Sequence, residues 1–188
     1  MTTLKFDLNK LKRWITDSLY TIKKANNDAP ILGGFSGSVI ELLGRFLRIH
    51  PIKNHFECFS DFLKKYLPEY YNHKVILYKI LRCEGAHSVL AQSGVTLTCD
   101  SKLESLHLKG HRDSKIGRVS LIIFSPKFVD DLLRTVENFF CDVAKEQILN
   151  DNCQKTLNEI YEEGQSIINK EINEKRLDIE AEGEITSG

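Results

Sequence analysis

Apolar residues recur at helical spacing over most of the chain, with short polar breaks between, and each periodic stretch predicts one element. Leu8, Leu11, Ile15, Leu19 and Ile22 line one face of a helix that Asp7 caps and Asn26-Asn27-Asp28 ends, near Ala25. The glycine-rich run Gly33-Gly34-Phe35-Ser36-Gly37-Ser38 reads as a flexible entry turn to a second helix through Val39, Leu42, Leu43, Phe46 and Leu47, which Pro51 closes. It lacks the Lys-Ser/Thr ending of a phosphate-binding P-loop. Phe59, Phe62, Leu63 and Tyr66 mark a short aromatic helix from Phe56 to Leu67, stopped by Pro68. In the stretch Val75 to Leu90, Ile76, Ile80, Cys83 and His87 fall on one stripe, which directs His87 inward.

After that stretch the period changes from helix to strand. Val95, Leu97 and Cys99 alternate with Thr96 and Thr98, Asp100-Ser101-Lys102 supplies a turn, and Leu103 to Leu108 predicts the returning strand of a hairpin. Val119 to Phe124 is of strand length and predicts a third strand. Ser125-Pro126 then starts a helix, the hydroxyl as cap and the proline at the first position, with Phe128, Leu132, Val136, Phe139 and Val143 as its buried stripe, facing Ile76 and Ile80 and running to about Leu149. Asp151 caps a last helix through Leu157, Ile160, Tyr161, Gly164, Ile167, Ile168 and Ile172. The fold class is therefore mainly α (α+β): a bundle of about six helices with a small antiparallel hairpin or meander near residues 94 to 124. Residues 1 to 176 form one domain and residues 177 to 188 an acidic flexible tail.

Composition changes this picture in three ways. With 41% apolar and 28% charged residues and no apolar run of membrane-spanning length, the chain reads as a globular protein without a membrane segment, and a start without the apolar core of a signal peptide places it in the cytoplasm. Five scattered cysteines suit free thiols in a reducing compartment. The net charge of zero hides a division: from Asp130 onward acidic residues exceed basic ones by nine, so residues 1 to 129 carry an excess of nine positive charges, which favours encounter with a polyanion.

The candidate chemistry is sparse. The basic loop between the predicted strands holds Lys109, His111, Arg112, Lys115 and Arg118 and is the local candidate for touching nucleic-acid phosphate. Cys58 with His50 and His55, or Cys83 with His87, gives at most half a metal site, so no metal and no cofactor is expected. Asp130-Asp131 and Glu162-Glu163 read as solvent-wetted surface charges. Trp14 reads as an anchor against another helix.

One stretch carries a resemblance. Tyr78-Lys-Ile-Leu-Arg82-Cys-Glu-Gly-Ala-His87-Ser88 resembles the Arg-x4-6-His motif of HEPN domains, helical modules of RNA-cutting toxins and defence proteins. The spacing is unspecific: about one match is expected by chance in such a chain, and Arg45 to His50 and Arg48 to His55 also fit. The aromatic and apolar helix before Arg82, and Gly85 and Ala86 between the pair, distinguish Arg82 and His87. The resemblance implies a homodimer with the motif at its interface and metal-independent RNA cleavage, Arg82 holding phosphate and His87 moving protons. Cys83 departs from the Asn, Asp or His that often follows the arginine in active members. Two functions follow: a HEPN-like endoribonuclease or RNA-binding toxin or defence protein, or a non-enzymatic helical interaction module that docks another protein through the last helix.

Overall fold

The computed structural model describes residues 5–25, 30–48, 54–84, 94–114 and 117–174. Two units are distinguished, residues 7–153 and a smaller one formed by residues 1–6 with 154–188. His50, Pro51, His87, Lys115 and the tail at 177–188 lie outside the described residues.

In the larger unit, α1 (Leu8–Lys24) is capped by Asp7, whose carboxylate accepts from the Asn9 and Lys10 N–H groups, and it buries Ile15 and Leu19. Trp14 meets Phe35 edge to face at 5.6 Å but remains 58% exposed. The helix α2 (Pro30–Phe46) runs straight through the glycine run expected to form a turn. Each interior glycine costs a helix about 0.5–1 kcal/mol. That cost is offset because the missing side chains form a groove in which two other elements seat. A Cβ on Gly44 would come 2.0 Å from the Cys58 carbonyl oxygen of α3 (His55–Tyr66), so α3 rests directly on the α2 backbone.

Pro68 stops α3 as expected and begins the one-turn helix α4 (Pro68–Tyr71). The chain continues through α5 (Lys74–Leu77) into a π-helical segment, Tyr78–Glu84, packed on α2. A π-segment bonds i to i+5, so its side chains drift from the 3.6-residue phase. Leu77, Ile80 and Leu81 are accordingly buried while Ile76, expected on the buried stripe with Ile80, is only half-buried; the burial of Cys83 and His87 lies outside what is described.

The small sheet is mixed, not an antiparallel meander. Its order is β1-β3-β2, with β1 (Val95–Thr98) parallel to β3 (Val119–Phe124) and β2 (Gly110–Arg112) antiparallel to it. The expected hairpin fails at Asp100. Its carboxylate accepts from the Lys102 N–H and caps a 3₁₀ helix, Ser101–Leu106, where a returning strand was expected. Leu103 and Leu106, three apart, fit a 3₁₀ repeat, while Leu106 and Leu108, two apart, fit a strand. Leu108, at φ 58, then turns the chain left-handed into β2, which lies in the basic stretch expected to be a loop. Leu121 to Phe124 are all buried, as suits the central strand of a sheet covered by helices.

The expected stripe of α6 (Ser125–Lys145) is buried throughout, but its main neighbour is α1 and not the Ile76–Ile80 stretch. Phe124 occupies the cap position, and the Ser125 hydroxyl, expected to cap, is buried without a partner. The helix ends at Lys145, and α7 (Gln147–Asn173) starts before Asp151. In the smaller unit the Gln154 amide exchanges two hydrogen bonds of 2.8 Å with the Phe6 backbone, and the Phe6 ring lies edge-on to Tyr161. The fold is mainly helical with a small sheet, and no helix among the described residues is long and apolar enough to cross a membrane.

Candidate functional site

The α2 groove decides where Arg82 sits. A Cβ on Gly37 would come 2.4 Å from the Leu81 carbonyl oxygen and 3.0 Å from the Arg82 nitrogen, so only glycine lets the π-segment backbone approach this closely. Glu41 follows Gly37 by four residues, one turn along the same face. The Arg82 Nε donates to Glu41 Oε2 at 2.5 Å, and His55 Nδ1 meets the other oxygen, Oε1, at 2.7 Å. The Glu41 side chain is 7% exposed, against 37% for Arg82 and 55% for His55. A carboxylate withdrawn from water is tolerable because both oxygens are bonded, one of them to a fixed cation.

Arg45, one further turn along α2, has its Nε buried without a hydrogen-bond partner. Arg48 is committed elsewhere, donating to Glu57 and Asp61 at 2.7 Å each. Burial pushes the nearby Cys58 thiol above its ordinary range, opposed by Arg48 and Arg45. Of the three Arg/His pairs in the sequence, the partners of Arg82 and Arg45 lie outside the described residues. The third separates, since Arg48 goes to Glu57 and Asp61 while His55 goes to Glu41. The structure instead joins Arg82 to His55 through Glu41. Sequence reasoning missed Glu41 altogether. The available signal was the spacing of Gly33, Gly37, Glu41 and Gly44, which places them on one helix face.

The basic residues of the β2–β3 turn form a separate patch. Lys109, His111, Arg112 and Arg118 are exposed, Arg112 donating to the Gly117 carbonyl at 3.0 Å and Lys109 to that of Ser105 at 2.9 Å. They lie on the strand edge, and Arg82 lies on the π-segment.

A second polar cluster corrects the reading of Asp130-Asp131. Asp130 is exposed and pairs with Lys23, but Asp131 is buried and accepts from Tyr70 Oη at 2.8 Å, Lys127 Nζ at 2.9 Å and Arg134 Nη2 at 2.7 Å. Burial alone would raise its pKa; the hydrogen bonds from Lys127 and Tyr70 and the charges of Lys127 and Arg134 outweigh it and hold Asp131 below the usual range. The Tyr70 hydroxyl also meets His107 Nε2 at 2.9 Å, while His107 Nδ1 accepts the Phe124 N–H at 3.0 Å. One neutral tautomer satisfies the chain: Nε2–H donates to Tyr70, and Tyr70 donates to Asp131. These bonds tie the segment after the 3₁₀ helix to α4 and α6, a structural role. Among the described residues no three His, Cys, Asp or Glu side chains are gathered to hold a metal. Comparison with family models, with curated proteins and with solved structures yields no match.

Proposed function

We propose that the chain is a HEPN-like RNA-binding protein that engages backbone phosphate through Arg82 and cleaves RNA without a metal. The observation that carries this reading is the fastening of Arg82 by Nε to a buried carboxylate. That bond fixes the guanidinium plane and leaves its terminal nitrogens, the edge that matches two phosphate oxygens, for another acceptor. The charge excess of residues 1 to 129 and the exposed Lys109, His111, Arg112 and Arg118 supply attraction for a long polyanion. On the resemblance, two copies pair and His87 moves protons.

The test is a gel of labelled single-stranded RNA with wild type and Arg82→Ala, each with EDTA present, alongside RNA binding at rising salt. Wild type should cleave with chelator and bind less tightly as salt rises, and Arg82→Ala should lose both properties. Intact RNA and salt-independent binding would refute the reading.

A second reading, a non-enzymatic module docking a protein through the last helix, has its own observation. Tyr161, Ile167 and Ile168 of α7 are exposed at 44%, 59% and 42%. Their replacement by serine would then abolish partner capture without touching RNA.

A further inference from the structure

Glu41 bonds Arg82 with one oxygen and His55 with the other, which places an imidazole beside the cation that would hold phosphate. In the sequence His55 stands out only as a motif-spaced partner of Arg48 and as a neighbour of Cys58. We infer that His55 is the proton-accepting group of an RNA-cleaving site it forms with Arg82, Glu41 being the residue that positions both. This rests on the reading of the protein as an RNA-cleaving enzyme, and puts His55 as proton acceptor in the place that the resemblance gives to His87.

The chemistry follows from which atoms are used. A carboxylate can only accept, so in the neutral ring Nδ1 carries the hydrogen that Glu41 receives and Nε2 keeps its lone pair. His55 is the first residue of α3 and its side chain is 55% exposed, so the ring is accessible while Glu41, 7% exposed, holds it by Nδ1. Anchoring a base by a second group fixes its tautomer and its direction. Asn54 caps α3 with its side chain, accepting from the Phe56 N–H at 3.0 Å, which holds the backbone at His55 in place. Among the described residues, Glu41 shares the surroundings of Cys58 with Arg45, Arg48 and Asp61, and Arg48 is bonded to Glu57 and Asp61.

In the step assigned here, His55 Nε2 takes the proton of a ribose 2′-hydroxyl and the 2′-oxygen forms a bond to phosphorus. The bond from phosphorus to the 5′-oxygen breaks, and its electron pair stays on that oxygen, which takes a proton from solvent. His55 returns its proton to solvent. The products are a 2′,3′-cyclic phosphate and a 5′-hydroxyl, with no redox change and no further reactant. Arg82 would offset the charge that builds on the phosphate oxygens as the new bond forms.

The experiment uses the full chain with labelled single-stranded RNA in EDTA, comparing wild type, His55→Ala, His55→Gln and Arg82→Ala, with and without added imidazole. His55→Ala and His55→Gln should each lose about 10²-fold or more in cleavage rate, the contribution of a positioned base, while RNA binding stays unchanged. His55→Ala, which leaves one oxygen of the buried Glu41 without a partner, should also lower the melting temperature, whereas the His55→Gln amide can still donate to it and should keep the melting temperature of wild type. Imidazole should restore cleavage to His55→Ala and not to Arg82→Ala, and an RNA with a 2′-deoxy residue at the cleaved position should resist wild type. Wild-type cleavage rates in both His55 variants would overturn the inference and leave the RNase reading intact. Loss of cleavage that imidazole does not restore would make His55 a structural residue and also overturn it. No cleavage by wild type would overturn both.

Discussion

Gly37 lies directly beneath the carbonyl of Leu81, so close that a Cβ there would stand 2.4 Å from the oxygen. This contact, not the Arg-x4-His spacing, brings Arg82 within reach of Glu41. Gly37→Ala should push the π-segment away, destabilise the fold by about 1–3 kcal/mol as overpacking does, and weaken RNA binding together with stability. Gly164→Ala is the contrast. Nothing lies within 4 Å of a Cβ built at Gly164 of α7, so alanine should stabilise by about 0.5–1 kcal/mol through helix propensity. Urea melts of both variants check this; an unchanged midpoint for Gly37→Ala would mean that the π-segment does not rest on α2.

What the sequence made legible, and what it did not, separates along physical lines. The stripes of α1 and α6 are read directly from spacing, because a helix face that faces the core must be apolar wherever the chain goes next. The α2 glycines were misread because local propensity makes Gly-rich runs turns, while the reason for these glycines is tertiary: the Leu81 and Cys58 carbonyls lie against them. The Leu103–Leu108 stretch was misread because its apolar spacing fits a 3₁₀ repeat and a strand alike, and the Asp100 cap decides between them. Arg82 could be singled out from its motif, but Glu41 lies 41 residues away and joins it only through the packing of α2 on the π-segment.

The thiols should divide by burial. Cys58 and Cys153 are buried, and desolvation pushes Cys153 up to about 12, whereas Cys141 is exposed on α6. The thiolate is the reactive form, so Cys141 should be alkylated first in native protein, with Cys58 and Cys153 labelled only on unfolding. Mass spectrometry of peptides after brief iodoacetamide treatment reads this directly. Equal labelling of Cys141 and Cys153 in folded protein would contradict the packing of Cys153.

The Tyr70–His107 hydrogen bond predicts an acid limit to stability in two stages. Burial and the charge of Lys127 push the His107 pKa below its ordinary value, against the opposing pull of Asp131 and Glu69. The folded state therefore favours the neutral ring, whose Nδ1 accepts the Phe124 N–H; protonating that nitrogen forfeits the bond. A group depressed on folding contributes its full stability above its unfolded pKa. For His107 that stability should begin to fall as pH drops through about 6.5 and be lost once pH passes the lower folded value. Asp131 is likewise depressed, so its contribution is full above its unfolded pKa of about 3.9 and disappears only at still lower pH. The two losses should appear as separate steps in urea midpoints measured from neutral to strongly acid pH. His107→Gln, which has no group to titrate, should flatten the first step and leave the second. Tyr70→Phe removes the hydroxyl that bridges His107 and Asp131 and should cost about 1–3 kcal/mol at neutral pH, since the carboxylate keeps Lys127 and Arg134 but loses a buried donor. Parallel curves for wild type and His107→Gln through the first step would show that the histidine is not held neutral by the fold.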